Sequence, residues 1–150
     1  MRRIWGLAII VLIVVIVGGF FAAAYLLTMP LGESKLIAEF LPTPPWKARS
    51  GQTLQLSIRI TNNGGQFAVA KNIQVYVLTP ENFLVHESRT NEYSLRLDML
   101  RGGELQEKTF NMTVPPMTSS GIYNITARVS ADYISEQTLT AQVNVTQQIP

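Results

Sequence analysis

Three short patterns in this 150-residue chain could carry a covalent modification: Asn111-Met112-Thr113, Asn124-Ile125-Thr126 and Asn144-Val145-Thr146. Each sets a hydroxyl residue two positions after an asparagine, the acceptor pattern for N-glycosylation, which operates outside the cytoplasm. A tripeptide this short also arises by chance, so its weight comes from position. Alternation around each asparagine places it on the polar side of an expected strand. Other chemistry is sparse. With no cysteine and one histidine, His86, the chain has no thiol chemistry and no His-rich metal site. Asp98, Glu104 and Glu107 are scattered around a turn and read as solvated charges, not as an acid and base pair. Asp132, beside Tyr133, could give one oxygen to calcium, but its sequence neighbours supply no further oxygen ligands. No Ser or Thr stands with a recognisable base, and no glycine loop is built for phosphate. The expectation is a protein that is not an enzyme and holds no cofactor or metal.

The elements that must position these residues begin with Ile4 to Leu27, an apolar run without a charge. Its 24 residues span about 36 Å as a helix, enough to cross a hydrocarbon core of about 30 Å. Arg2 and Arg3 precede it, and few basic residues follow closely, so the N-terminus is expected in the cytoplasm and the remainder outside. Ala22-Ala23-Ala24 would suit a cleaved secretory signal, but the run exceeds the usual signal core of about 7–15 residues, which favours a retained anchor. A prepilin-type leader lacks its usual acidic residue here. Gly18 with Ala22 and Gly19 with Ala23 form a stripe of small residues where a partner helix could approach; the alternative is that the stripe faces lipid, small residues being common in such helices.

Beyond residue 27 basic and acidic residues balance, because the net charge of +2 is carried by Arg2 and Arg3. Nucleic acid is therefore not an expected partner. Four sections follow: a cytoplasmic tip over 1–3, a membrane span over 4–27, a juxtamembrane and proline-rich segment over 28–45, and an outer domain over 46–150. Within the third, Leu36, Ile37, Phe40 and Leu41 recur at helical spacing and suggest a short amphipathic turn. Pro42-Thr43-Pro44-Pro45 then reads as a stiff extended spacer.

From Trp46 onward the period becomes two, with turn residues about every ten positions. Leu54, Leu56, Ile58 and Ile60 alternate with polar residues, as do Ile73, Val75 and Val77; Phe110, Met112 and Val114; Tyr123, Ile125, Ala127 and Val129; and Leu139, Ala141, Val143 and Val145. Phe83 to Glu87 and Tyr93 to Leu97 are shorter and read as edge strands. The pattern predicts an all-β, immunoglobulin-like two-sheet antiparallel sandwich of seven to eight strands behind one transmembrane α-helix.

At Gly51, Asn62, Gly64, Ala70, Asn72-Ile73-x-Val75, Gly102-Gly103-Glu104 and Gly121-Ile122-Tyr123-x-Ile125 the chain resembles the cell-adhesion-related CARDB domains and related modules of archaeal S-layer-associated proteins. The resemblance covers about Trp46 to Thr146 and implies a sandwich that binds or spaces and does not catalyse. Such modules often occur in tandem, whereas here one copy follows an anchor. That layout also resembles accessory and stator proteins of archaeal surface filaments. The expected role is a single-pass cell-membrane protein whose outer sandwich contacts other proteins, in a membrane complex, a surface assembly or a homo-oligomer. The alternative is an envelope-glycan or S-layer binding module, for which Trp46, Tyr76, Tyr93 and Tyr133 are the candidate aromatic rings.

Overall fold

The structure, a computed structural model, describes residues 32–147. The expected membrane span, its Gly18, Gly19, Ala22 and Ala23 stripe, and Arg2 and Arg3 lie outside these residues. No helix among the described residues is long and apolar enough to cross a membrane.

Among the described residues nine strands form in chain order: β1 (Leu36–Leu41), β2 (Trp46–Arg49), β3 (Thr53–Asn62), β4 (Val69–Leu78), β5 (Leu84–Val85), β6 (Glu92–Arg101), β7 (Leu105–Thr113), β8 (Gly121–Ala131) and β9 (Ile134–Thr146). They make two sheets, ordered β1-β3-β7-β5 and β2-β9-β8-β4-β6. Alternation puts the apolar side chains of both sheets between the layers. Ile58, Phe110, Met112, Val77 and Ala127 are fully buried there. Two aromatic contacts help close the core. Tyr93 stacks on Phe110 with ring centres 5.1 Å apart, and Phe40 meets Trp46 edge to face at 5.4 Å.

Three sequence expectations are corrected. Leu36 to Leu41 is a strand, not a helical turn. A short apolar run fits either period, and pairing with β3, from Leu36 opposite Asn62 to Leu41 opposite Ser57, decides for the strand by burying Leu36 and Phe40. The proline segment is consequently not a spacer ahead of the sandwich but the crossing from one sheet to the other. Trp46 secures its far end by donating its indole N–H to the Pro42 carbonyl at 2.6 Å. Finally, the sandwich has nine strands and is not wholly antiparallel, because β2 runs parallel to β9, with Trp46 opposite Val143. The two segments expected at sheet edges, now β5 and β6, are indeed the outer members of their sheets.

A fully buried polar side chain stands at an inward position. Asn62, at the end of β3, is 0% exposed. Its Nδ2 donates to the Leu100 carbonyl at 2.9 Å, and its Oδ1 accepts the backbone N–H groups of Lys35 at 3.2 Å and Gly64 at 3.1 Å. The backbone of Asn62 also exchanges bonds with Glu104 and Gly103. Truncation would remove the partner of one buried backbone carbonyl and of two part-buried N–H groups at once. Asn62→Ala should therefore lower unfolding free energy by about 3 kcal/mol, and Asn63→Ala, at the exposed neighbour, should change it by less than about 0.5 kcal/mol, measured by denaturant titration.

Candidate functional site

All three sequon asparagines point away from the core, but their surroundings differ. Asn111 on β7 is half-buried. Its backbone N–H and Nδ2 donate to the Glu87 carboxylate at 3.0 and 3.2 Å. The hydroxyl of its Thr113 is shared with Thr53 and with the His86 ring, each at 2.6 Å. Asn144 on β9 is half-buried between β2 and β8, opposite Lys47 and Ile122. Its Thr146 donates to the Ala48 carbonyl at 3.3 Å. Asn124 on β8 is exposed, and neither it nor Thr126 has a side-chain hydrogen bond within the described residues.

The His86 and Thr113 contact is a base beside a hydroxyl that sequence reading missed. The two residues are 27 apart, and only the pairing of β5 with β7 brings them together. It lies on an open sheet face, and among the described residues no third side chain orients the ring. The other candidates serve the fold. Glu107 pairs with Arg59 at 3.0 Å, and Arg59 also meets Glu39 at 3.2 Å. Glu104 accepts the Arg101 N–H at 2.8 Å and closes its turn. Asp98 is exposed on β6. Asp132 accepts the Asn72 amide at 2.5 Å, and Asn72 in turn accepts from Arg96 at 3.2 Å. Among the described residues no three His, Asp or Glu side chains gather as a metal-ligand set.

The four rings considered for glycan stacking do not share a platform. Trp46 is buried against Phe40, and Tyr93 faces inward onto Phe110. Tyr76 lies on the outer face of the five-stranded sheet, where the nearby Glu92 carboxylate raises its pKa above the usual phenol value. Tyr133 stands alone and fully exposed at the tip of the β8–β9 turn. Two of the concavities among the described residues lie near candidate residues. One, of about 540 Å³, is lined by Pro80, Phe83, Pro116, Met117 and Tyr123. The other, of about 430 Å³, lies along β2 and β9 and sets Lys47 and Arg49 beside Asn144.

No family model matches the sequence, and no curated protein does. Solved structures do. The CARDB domain of a Pyrococcus furiosus protein, solved in complex with di-metal ions, is 22% identical over 76% of this chain and 90% of that domain, with a TM-score of 0.56. An Escherichia coli alpha-2-macroglobulin in its native conformation gives 18% identity and a TM-score of 0.57, with 77% of this chain matching 7% of that one. A family 123 glycoside hydrolase from Clostridium perfringens gives 13% and 0.52, over 77% of this chain and 28% of the enzyme. The chain spans only a small part of those two larger proteins. The fold is a CARDB-like β-sandwich. At these identities the likeness describes fold, which hosts many roles.

Two predictions follow from this geometry. In a host that glycosylates outside the cell, Asn124 should be the most fully occupied sequon and Asn111 the least. Intact mass of the wild type and of Asn124→Gln measures this, and the substitution should remove the most abundant glycan. Separately, burial, and secondarily the Glu87 charge, raise the Tyr93 pKa. A phenol whose folded pKa is raised contributes stability that is complete below its unfolded value of about 10 and is lost as pH rises through the folded value. Thermal melts above about pH 10 should fall less steeply for Tyr93→Phe than for wild type, with the two alike at neutral pH.

Proposed function

We propose that this chain is a single-pass membrane protein whose outer sandwich makes protein contacts, as an accessory subunit of a membrane complex or of a cell-surface assembly. The apolar run over 4–27, with Arg2 and Arg3 before it, supports an uncleaved anchor with the N-terminus inside. Its Gly18, Gly19, Ala22 and Ala23 stripe would give a partner helix close approach.

The observation that carries the contact role is strand β6. Its ten residues pair with β4 along one side, and it ends its sheet, so its second row of backbone donors and acceptors is open to another strand. Tyr93, Leu95 and Leu97 along it are half-buried, which leaves apolar surface beside that open row. Strand addition reads backbone and alternate side chains together, and β6 offers both. Envelope glycan is a weaker reading because the four rings considered for it share no platform, Trp46 and Tyr93 being turned into the core.

Purification of the tagged full-length chain in mild detergent, followed by native mass determination, tests the proposal. A defined set of membrane subunits should remain bound, and Leu95→Lys with Leu97→Lys should release them while the sandwich still melts cooperatively. A chain that runs alone would overturn the accessory role, and a small homo-oligomer would redirect the contact to a second copy.

A further inference from the structure

The end of the sandwich built around Asn62 carries an apolar patch that the core does not need. On β4 and β6, Val69 pairs opposite Arg101 and Lys71 opposite Met99, so two apolar and two basic side chains form a crossed block. Val69 is 40% and Met99 49% exposed. Phe67, two residues before Val69, is 61% exposed. The Asp132 N–H donates to the Lys71 carbonyl at 3.0 Å, which brings the β8–β9 turn, with the fully exposed Tyr133 at its tip, alongside the start of β4. Neither Lys71 nor Arg101 makes an ion pair among the described residues.

We propose that this patch rests in the headgroup region of a lipid bilayer. The inference depends on the anchor reading above. Its composition suits that layer, where aromatic rings lie between headgroups and acyl chains and Lys or Arg extend toward phosphate. Chain length argues for the same occupant. Only eight residues separate Leu27, at the end of the apolar run, from Leu36 in β1, and an extended chain spans at most about 3.5 Å per residue. A membrane would thus stay within about 30 Å of β1, whose first residue is opposite Asn62. The tether limits distance but fixes no orientation, and the patch supplies the orientation. Asp98 next to Met99 on β6, Glu104, which accepts the Arg101 N–H, and Asp132, whose N–H meets the Lys71 carbonyl, balance Lys71, Arg101 and the neighbouring Arg96. Apolar insertion therefore carries the binding, and anionic lipid is not required.

The test attaches an environment-sensitive dye to Phe67→Cys, Tyr133→Cys and, at the far end, Met117→Cys, each in the full chain, which has no other cysteine. The proteins are reconstituted in phosphatidylcholine vesicles that carry a nitroxide near the headgroup. The expected result is loss of most emission at the first two positions and none at the third, with little change when half the lipid is phosphatidylglycerol. Carbonate extraction, run in parallel, reports the anchor. A carbonate-resistant protein whose dyes at 67 and 133 are unquenched would overturn the patch and leave the anchor standing. Shielded dyes without nitroxide quenching would overturn it too, in favour of a protein cover. Should carbonate release the protein, the anchor reading fails, and quenching on added vesicles would be needed for the patch to survive alone.

Discussion

The side-chain amide of Asn62 is the interaction on which one whole end of the molecule depends. An inward position on a strand usually takes an apolar residue, because a buried amide without partners costs several kcal/mol. Here the amide has three, drawn from the segment before β1, the β3–β4 loop and the end of β6. Those pieces come from distant parts of the sequence and from both sheets. The surrounding glycines follow from that convergence. A Cβ at Gly102 would lie 2.0 Å from the Gly65 carbonyl oxygen, and one at Gly64 would lie 2.6 Å from both Ala68 and the Glu33 carbonyl. The backbone is drawn too close there for any side chain.

Against that rigid end, the side between β6 and β7 is loosely covered. By alternation from Phe110, Lys108 and Gln106 point toward the interlayer space, opposite Ile58 and Ile60, yet both are exposed because no strand overlies them. An inward-pointing lysine on an open edge discourages strand pairing, since burying its charge would be costly. Strand β5 covers β7 only at Met112 and Thr113. The β7 edge is thus guarded, and the β6 edge, with half-buried Leu95 and Leu97, is less so. That difference is why the contact proposal falls on β6.

Much of this fold was legible in the sequence. Period two located β3, β4, β7, β8 and β9, because alternate burial leaves a direct trace in composition, whereas β6, ten residues from Glu92 to Arg101, read only as the shorter Tyr93 to Leu97. What stayed hidden was long-range. Leu36 and Phe40 fit a helix or a strand equally, and only β3 chooses between them. The parallel pairing of β2 with β9 joins residues about a hundred positions apart and leaves no local mark. Asn62 was visible as a turn residue, but its partners Lys35 and Leu100 were not. His86 with Thr113 is illegible for the same reason. The sequons were fully legible as patterns, whereas their inequality arises from Glu87 and Thr53, which fold against Asn111 and its threonine but not against Asn124.

Every buried side-chain nitrogen or oxygen among the described residues has a hydrogen-bond partner. The consequence bears on where a role could reside. Polar groups that are fully engaged in holding strands and turns together are not free to bind or activate a ligand without first breaking the fold. In such a scaffold, recognition moves to groups the fold leaves unfinished. Among these are backbone donors and acceptors along β6, and exposed apolar side chains at the Asn62 end. The two lie at different places on one sheet and suit different surroundings, a strand for the first and a lipid surface for the second. A sandwich held at its Asn62 end would keep β6 available along its flank, so the proposed membrane contact and the proposed protein contact do not compete for the same residues.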